Sequence, residues 1–176
     1  MIIINVYKKE KNNINYKLRL RSKIMKILMK SNIYDVDETI IVVGSCVKNM
    51  QPKGYEKLQK ISNNIYELCL EETHINMAIT KIGGMLRTNK IKKIIFATVD
   101  KSPHCIQLHY IQDELRKMMN LSNIETENYV IVDNELIKIN TEIISLSKNL
   151  SKLSKLNIEE GKKEWIMKIK QILTGK

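Results

Sequence analysis

Ile40-Ile41-Val42-Val43 and Ile94-Ile95-Phe96-Ala97 are apolar at every position. A strand with one wet face alternates apolar and polar side chains. An unbroken apolar run bounded by turn residues instead suits a strand buried on both faces. Burying both faces takes a layer of helix on each side. The segments between the runs can supply it, because they carry apolar residues at helical spacing. The expected fold class is therefore α/β, a three-layer sandwich with a short, mostly parallel sheet flanked by helices. A chain of 176 residues, 43% of them hydrophobic, can bury a core of its own. Six glycines and two prolines leave little linker material. Residues 1–176 are expected to form a single α/β domain, with C-terminal helices over about 141–174 packed on it or forming a dimer contact.

Periodicity places the elements. Ile2–Tyr7 reads as a short strand and Tyr16–Ser31 as a helix, with Leu20, Ile24, Ile27 and Leu28 on one face. Thr39–Val43 is the first buried strand and ends at Gly44-Ser45-Cys46. The spacing predicts one helix over Tyr55–Glu71, striped by Leu58, Ile61, Ile65, Leu68 and Cys69, which makes Cys69 a core residue. Thr73 caps a further helix to Arg87, with His74 facing solvent; Gly83-Gly84 within it predicts a kink or a close packing contact. Lys92–Val99 is the second buried strand. Ser102 as N-cap, with Pro103 at the first helical position, starts a helix to about Asn120. Tyr129–Val132 is a third buried strand, and Asp133-Asn134 turns it into Leu136–Ile139 as a hairpin. Thr141 caps a helix to about Leu156, and Ile158–Leu173 closes the chain as an amphipathic helix.

Thirty Lys and Arg against nineteen Asp and Glu give a formal net charge of +11. A basic balance invites a polyanion. The basic residues Lys17, Arg19, Arg21, Lys23 and Lys26 on the helix over Tyr16–Ser31 are the candidate polyanion contact. The excess is nearly all lysine in a chain crowded with Ile and Asn, so a solvated lysine-rich surface is the favoured reading and nucleic acid the alternative. Aromatic residues make up 5% of the chain, which supplies base stacking poorly. Three cysteines, an odd number, do not read as a disulfide framework and point to reduced thiols in a cytoplasmic protein. No stretch approaches the roughly 18 apolar residues of a membrane span, and the apolar N-terminus is too short for a signal peptide.

In open α/β sheets, ligands bind beyond the carboxyl ends of the strands. Two buried strands end at Gly44-Ser45-Cys46 and at Asp100-Lys101-Ser102-Pro103-His104-Cys105. If those strands are neighbours, the two loops face each other. Cys105, near a helix start, would feel the helix dipole and free backbone N–H groups, both of which favour the thiolate. His109, four residues on, is expected on the same helix face. The candidate metal or thiol site is therefore Cys46, Cys105, His109 and His104, with Gly44, Ser45, Asp100 and Ser102 as its loops. Sulfur and imidazole suit zinc or iron. No Cys-x-x-Cys, Walker sequence, Gly-x-Gly-x-x-Gly or His-Glu-x-x-His is present, so ATP-type and dinucleotide readings lack support.

The segment from Lys81 through Gly83-Gly84 and Ile91-Lys92-Lys93 to Pro103-His104-Cys105 resembles the α/β region that follows the cluster motifs in ferredoxin-like iron–sulfur proteins. Gly44-Ser45-Cys46 followed by Tyr55-Glu56-Lys57-Leu58 is similar to a loop and helix of the same region. The likeness covers about the middle half of the chain. It rests on Cys46, Pro103 and Cys105; His104 stands where that family's loop has its first cysteine, and the ferredoxin cysteine run is missing. The resemblance implies a redox-associated accessory domain with a redox protein partner. Three functions follow in order: a metal-, iron–sulfur- or thiol-dependent redox site, a basic nucleic-acid-binding module, and a non-catalytic homodimer.

Overall fold

The structure, a computed structural model, describes residues 26–151. It divides into two units, Met1–Thr141 and Glu142–Lys176. The described part of the first unit holds a six-stranded sheet: β1 (Lys26–Ile27), β2 (Thr39–Gly44), β3 (Ile65–Leu68), β4 (Lys93–Val99), β5 (Glu125–Val132) and β6 (Glu135–Lys138), in the order β1-β3-β2-β4-β5-β6. The first five strands run parallel, and β6 returns antiparallel to β5. Helices α1 (Cys46–Met50) and α2 (Pro52–Ile61) connect β2 to β3. α3 (Ile75–Leu86) connects β3 to β4, and α4 (Ile106–Met118) connects β4 to β5.

Alternate strand residues enter two separate cores. Ile40, Val42, Tyr66, Leu68, Ile94 and Phe96 pack with Ile82 and Met85 of α3 and Leu108 and Ile111 of α4. Ile41, Val43, Ile65, Ile95 and Ala97 pack with Val47 of α1 and Tyr55 and Leu58 of α2. Helices on both faces explain why the central strands carry no polar alternation. The three-layer α/β sandwich expected from the runs is the fold.

The hairpin also forms where expected. Asp133 and Asn134 both hold positive φ, at 49° and 65°, as a two-residue turn matched to strand twist requires. Asn134 then does a second job. Its Oδ1 accepts from the backbone N–H of Lys53 (3.1 Å) and Gly54 (3.4 Å), at the start of a helix that has no side-chain cap of its own. Gly54 is obligatory at that approach, since a Cβ there would lie 2.5 Å from Ile131 Cγ2.

The helix expected over Tyr55–Glu71 is not one element. It ends at Ile61, and Ile65–Leu68 is β3, paired with β1 and β2. Ser62-Asn63-Asn64 breaks it: the Ser62 hydroxyl donates to the Thr39 carbonyl (2.8 Å) and accepts from Asn64 N–H (3.1 Å). Ile65 and Tyr66 are adjacent and both buried, as in a strand covered on two sides. The helix expected over Tyr16–Ser31 is likewise corrected for its described end. Lys26-Ile27 is strand β1, paired with β3, and Leu28–Lys30 a single 3₁₀ turn that buries Leu28. Gly83 and Gly84 cause no break in α3; a Cβ at either would meet Leu115 or Ile33 at 3.6 Å, an ordinary contact. The expected Ile2–Tyr7 strand and Ile158–Leu173 helix lie outside the described residues. Helix α5 spans Thr141–Ser147 and closes short of Leu156. No helix among the described residues is long and apolar enough to cross a membrane.

A thiol-lined crevice at the carboxyl ends of three strands

β3, β2 and β4 are adjacent, and their carboxyl ends are level: Gly44 pairs with Leu68, and Val43 with Ala97. The chain leaves β2 for β3 on one side and reaches β4 on the other. The crevice between β2 and β4 is thus the point where the winding reverses. The neighbour relation on which the sequence argument depended is therefore present.

Three loops close over this point. Gly44-Ser45-Cys46 leaves β2, Cys69-Leu70-Glu71 leaves β3, and Ser102 to Cys105 follows β4. Together they line a small cavity of about 30 Å³, with Leu68 and Leu108 completing its apolar wall. All three cysteines of the chain stand on it.

Each thiol is placed by its loop. Cys105 precedes α4, and its backbone N–H is held by Ser102 Oγ at 3.2 Å. Regular helix starts only at Ile106, with Cys105 at its N-cap, so the start expected at Ser102-Pro103 is corrected; the Ser102 hydroxyl closes the turn that precedes the helix. Cys105 is 8% exposed. Its sulfur lies over the Gly44 backbone, where an added Cβ would come within 3.1 Å of Sγ. Cys46 opens α1, and its side chain lines the same space as Cys105. Burial, above all, pushes the Cys46 thiol up from its ordinary pKa; the neighbouring Cys105 and then Cys69 push it the same way, against a smaller downward pull from its own backbone N–H. At neutral pH Cys46 is therefore a protonated thiol. Two exposed side chains stand at the rim: His104 Nδ1 is 3.9 Å from Glu71 Oε2.

A family model of a Rossmann-like domain matches residues 34–162, which contain every strand from β2 to β6 and all three cysteines. The chain belongs to the Rossmann-like domain family. Searches of the curated proteins and of the solved structures find no match to it.

A Rossmann-like fold raises the question of a dinucleotide, and this crevice does not fit one. The space over Gly44, where a pyrophosphate would approach the backbone, is filled by Cys105 sulfur. The cavity of about 30 Å³ is far below the roughly 300 Å³ of the smallest usual ligand pockets. In this Rossmann-like domain the switch point holds thiols instead.

Two of the residues expected at the site are placed differently. His109 does not line the cavity. It is buried beneath α4, with Nε2 2.8 Å from Thr98 Oγ1 and Nδ1 2.9 Å from Asn128 Oδ1. Asn128 Nδ2 donates to Gln112 Oε1 at 3.0 Å, so its Oδ1 is left to accept from His109 Nδ1–H, and His109 Nε2 accepts from the Thr98 hydroxyl. Both ring nitrogens are thereby used. Burial lowers the pKa of His109, outweighing the opposite effect of the Asn128 hydrogen bond, and keeps the ring neutral. Asp100 is exposed and does not line the cavity.

Cys69 is the residue that periodicity misplaced. The signal that finds it is Ser62-Asn63-Asn64, which ends the helix and turns Cys69 from a helical stripe into a strand-end loop. Of the candidate polyanion contacts, Lys17, Arg19, Arg21 and Lys23 lie outside the described residues. Lys26 is on a strand, with Nζ 2.8 Å from Asp35 Oδ2. Among the described residues, no three His, Cys, Asp or Glu side chains are set to hold one metal ion.

Proposed function

We propose that this Rossmann-like domain is a thiol redox protein whose working pair is Cys46 and Cys105. The observation that carries the reading is the arrival of all three cysteines, from three separate loops, at the winding reversal of the sheet. A buried cysteine elsewhere in a core is commonly just a small apolar residue. Three on one ligand-binding edge, lining one small space, call for a chemical role.

The chemistry is thiol–disulfide exchange with a disulfide of a partner protein. Cys46 is the less buried of the pair and meets the partner. Its thiolate attacks one sulfur of the partner disulfide, whose second sulfur leaves as a thiolate and takes a proton. Cys105 then attacks Cys46 sulfur in the mixed disulfide. The products are a Cys46–Cys105 disulfide and two partner thiols, so two electrons and two protons have passed to the partner. A dithiol whose thiolate is poorly stabilised gains more from being oxidised, which makes the pair a reductant. The resemblance to ferredoxin-like proteins points the same way, toward a redox partner. A zinc or iron ion would instead have to displace thiol protons and draw Cys69 or His104 inward.

The test is a redox titration of the full chain in glutathione buffers without oxygen, with metal analysis, beside Cys46→Ser and Cys105→Ser. The expected result is a two-electron midpoint below the glutathione poise of roughly −240 mV, absent from both variants. Thiols that stay reduced throughout overturn the reading. Stoichiometric zinc or iron lost in both variants replaces it with a metal site.

A further inference from the structure

Disulfide exchange uses two thiols, and the crevice holds three around an enclosed space. We propose that this space receives a sulfane sulfur atom, so that Cys46 is a persulfide carrier fed by persulfide or polysulfide donors. The inference rests on the thiol reading above and names its small-molecule substrate class.

Size is the first argument. A cavity of about 30 Å³ beside the thiols has room for one or two atoms of the size of a water oxygen. It admits no peptide, nucleotide or sugar phosphate, whereas one extra sulfur on a cysteine fits. Polarity is the second. Leu68, Leu70 and Leu108 share the wall with the three sulfurs, and the carboxylate of Glu71 stands at its rim with His104, Ser45 and Ser102. Such a wall resists a phosphate or carboxylate, which would lose its hydration, and suits a polarisable sulfur. Geometry is the third. Cys46 is partly exposed and lines the same space as buried Cys105, so a sulfur received at the rim is delivered beside a second thiol.

Both steps balance. In loading, Cys46 thiolate attacks the outer sulfur of R–S–SH; the S–S bond of the donor breaks, and R–SH leaves with the proton. Cys46–S–SH results. In discharge, Cys105 thiolate attacks the Cys46 sulfur of that persulfide. The outer sulfur leaves as hydrogen sulfide, and a Cys46–Cys105 disulfide forms. The sulfane sulfur is reduced by two electrons, and the two thiols are oxidised by two. Cys105→Ser therefore stops this single turnover at the loaded stage.

The experiment exposes the reduced full chain to inorganic polysulfide, removes the excess, and reads intact mass, cyanide-labile sulfur and released sulfide. Cys105→Ser is expected to retain a gain of about 32 Da, one sulfur per chain, mapped to Cys46. Wild type is expected to release sulfide and end as the Cys46–Cys105 disulfide. Cys46→Ser and Cys46→Ala are expected to retain at least fivefold less labile sulfur than Cys105→Ser, with a thermal melt showing that they fold. Equal loading of Cys69 and Cys46, or equal loading of the urea-unfolded chain, overturns the proposal. So does a Cys105→Ser protein that takes up no sulfur. If wild type still shows its glutathione midpoint in that case, the disulfide chemistry stands without sulfur transfer; if it does not, both fall.

Discussion

At the scale of single residues, the Cys46 thiol is held protonated by burial first and by its sulfur neighbours second. Its alkylation by iodoacetamide is therefore predicted to keep rising with pH beyond the ordinary thiol pKa of about 8.5. In Cys105→Ser the profile moves to lower pH but does not return to the free-thiol curve, because burial remains. A profile unmoved by the substitution would contradict the pairing. Two glycines make opposite predictions. Gly54→Ala drives a methyl to 2.5 Å from Ile131 Cγ2 on a stiff β-branched side chain, and is expected to cost about 1–3 kcal/mol in urea unfolding. Gly84→Ala meets Ile33 at 3.6 Å inside α3, so the lower entropy of the unfolded chain wins, and it should gain about 0.5–1 kcal/mol. His109 sets a pH dependence. Its folded pKa is depressed by burial, so in a window below about pH 6.5 the unfolded chain binds a proton that the folded chain refuses. Stability is then full above about pH 6.5 and falls as the pH drops through that window. Melting of His109→Gln is expected to be lower overall and flatter across it.

At the scale of elements, the β5–β6 hairpin is tied to α2 by one side chain. Asn134→Ala leaves the N–H groups of Lys53 and Gly54 without their acceptor and is expected to cost about 1 kcal/mol, the usual worth of a helix cap, measured by urea unfolding. Asp133-Asn134 was legible as that turn because its residue types tolerate positive φ. β2 and β4 were legible because burial on two faces leaves an unbroken apolar run. The break between α2 and β3 was not. Leu58, Ile61, Ile65 and Leu68 satisfy a helical stripe, and the strand at Ile65–Leu68 is stabilised by pairing with β1 and β2, partners distant in sequence. Cys69 was misread with it, because its place depends on that pairing. His109 was misread for a different reason. Helical spacing puts it near Cys105, but the polar acceptor that claims its ring, Asn128, belongs to β5 and is invisible to local spacing.

At the scale of the molecule, strand order makes the site. With β2 central and β3 and β4 on either side of it, three strand-end loops converge, and each brings one cysteine. The same order in a Rossmann-like domain is compatible with many chemistries, and here the residues at the reversal are sulfur rather than a glycine-rich phosphate loop. The surface charge of +11 acts on solubility and encounter with acidic partners, not on this choice. The most direct measurement is a peptide map of the disulfides formed when the folded, reduced chain meets less than one equivalent of diamide. The account predicts Cys46–Cys105 as the dominant intramolecular bond, with Cys69 largely free. Intermolecular bonds, or the three pairings in the equal proportions of the urea-unfolded chain, would contradict it.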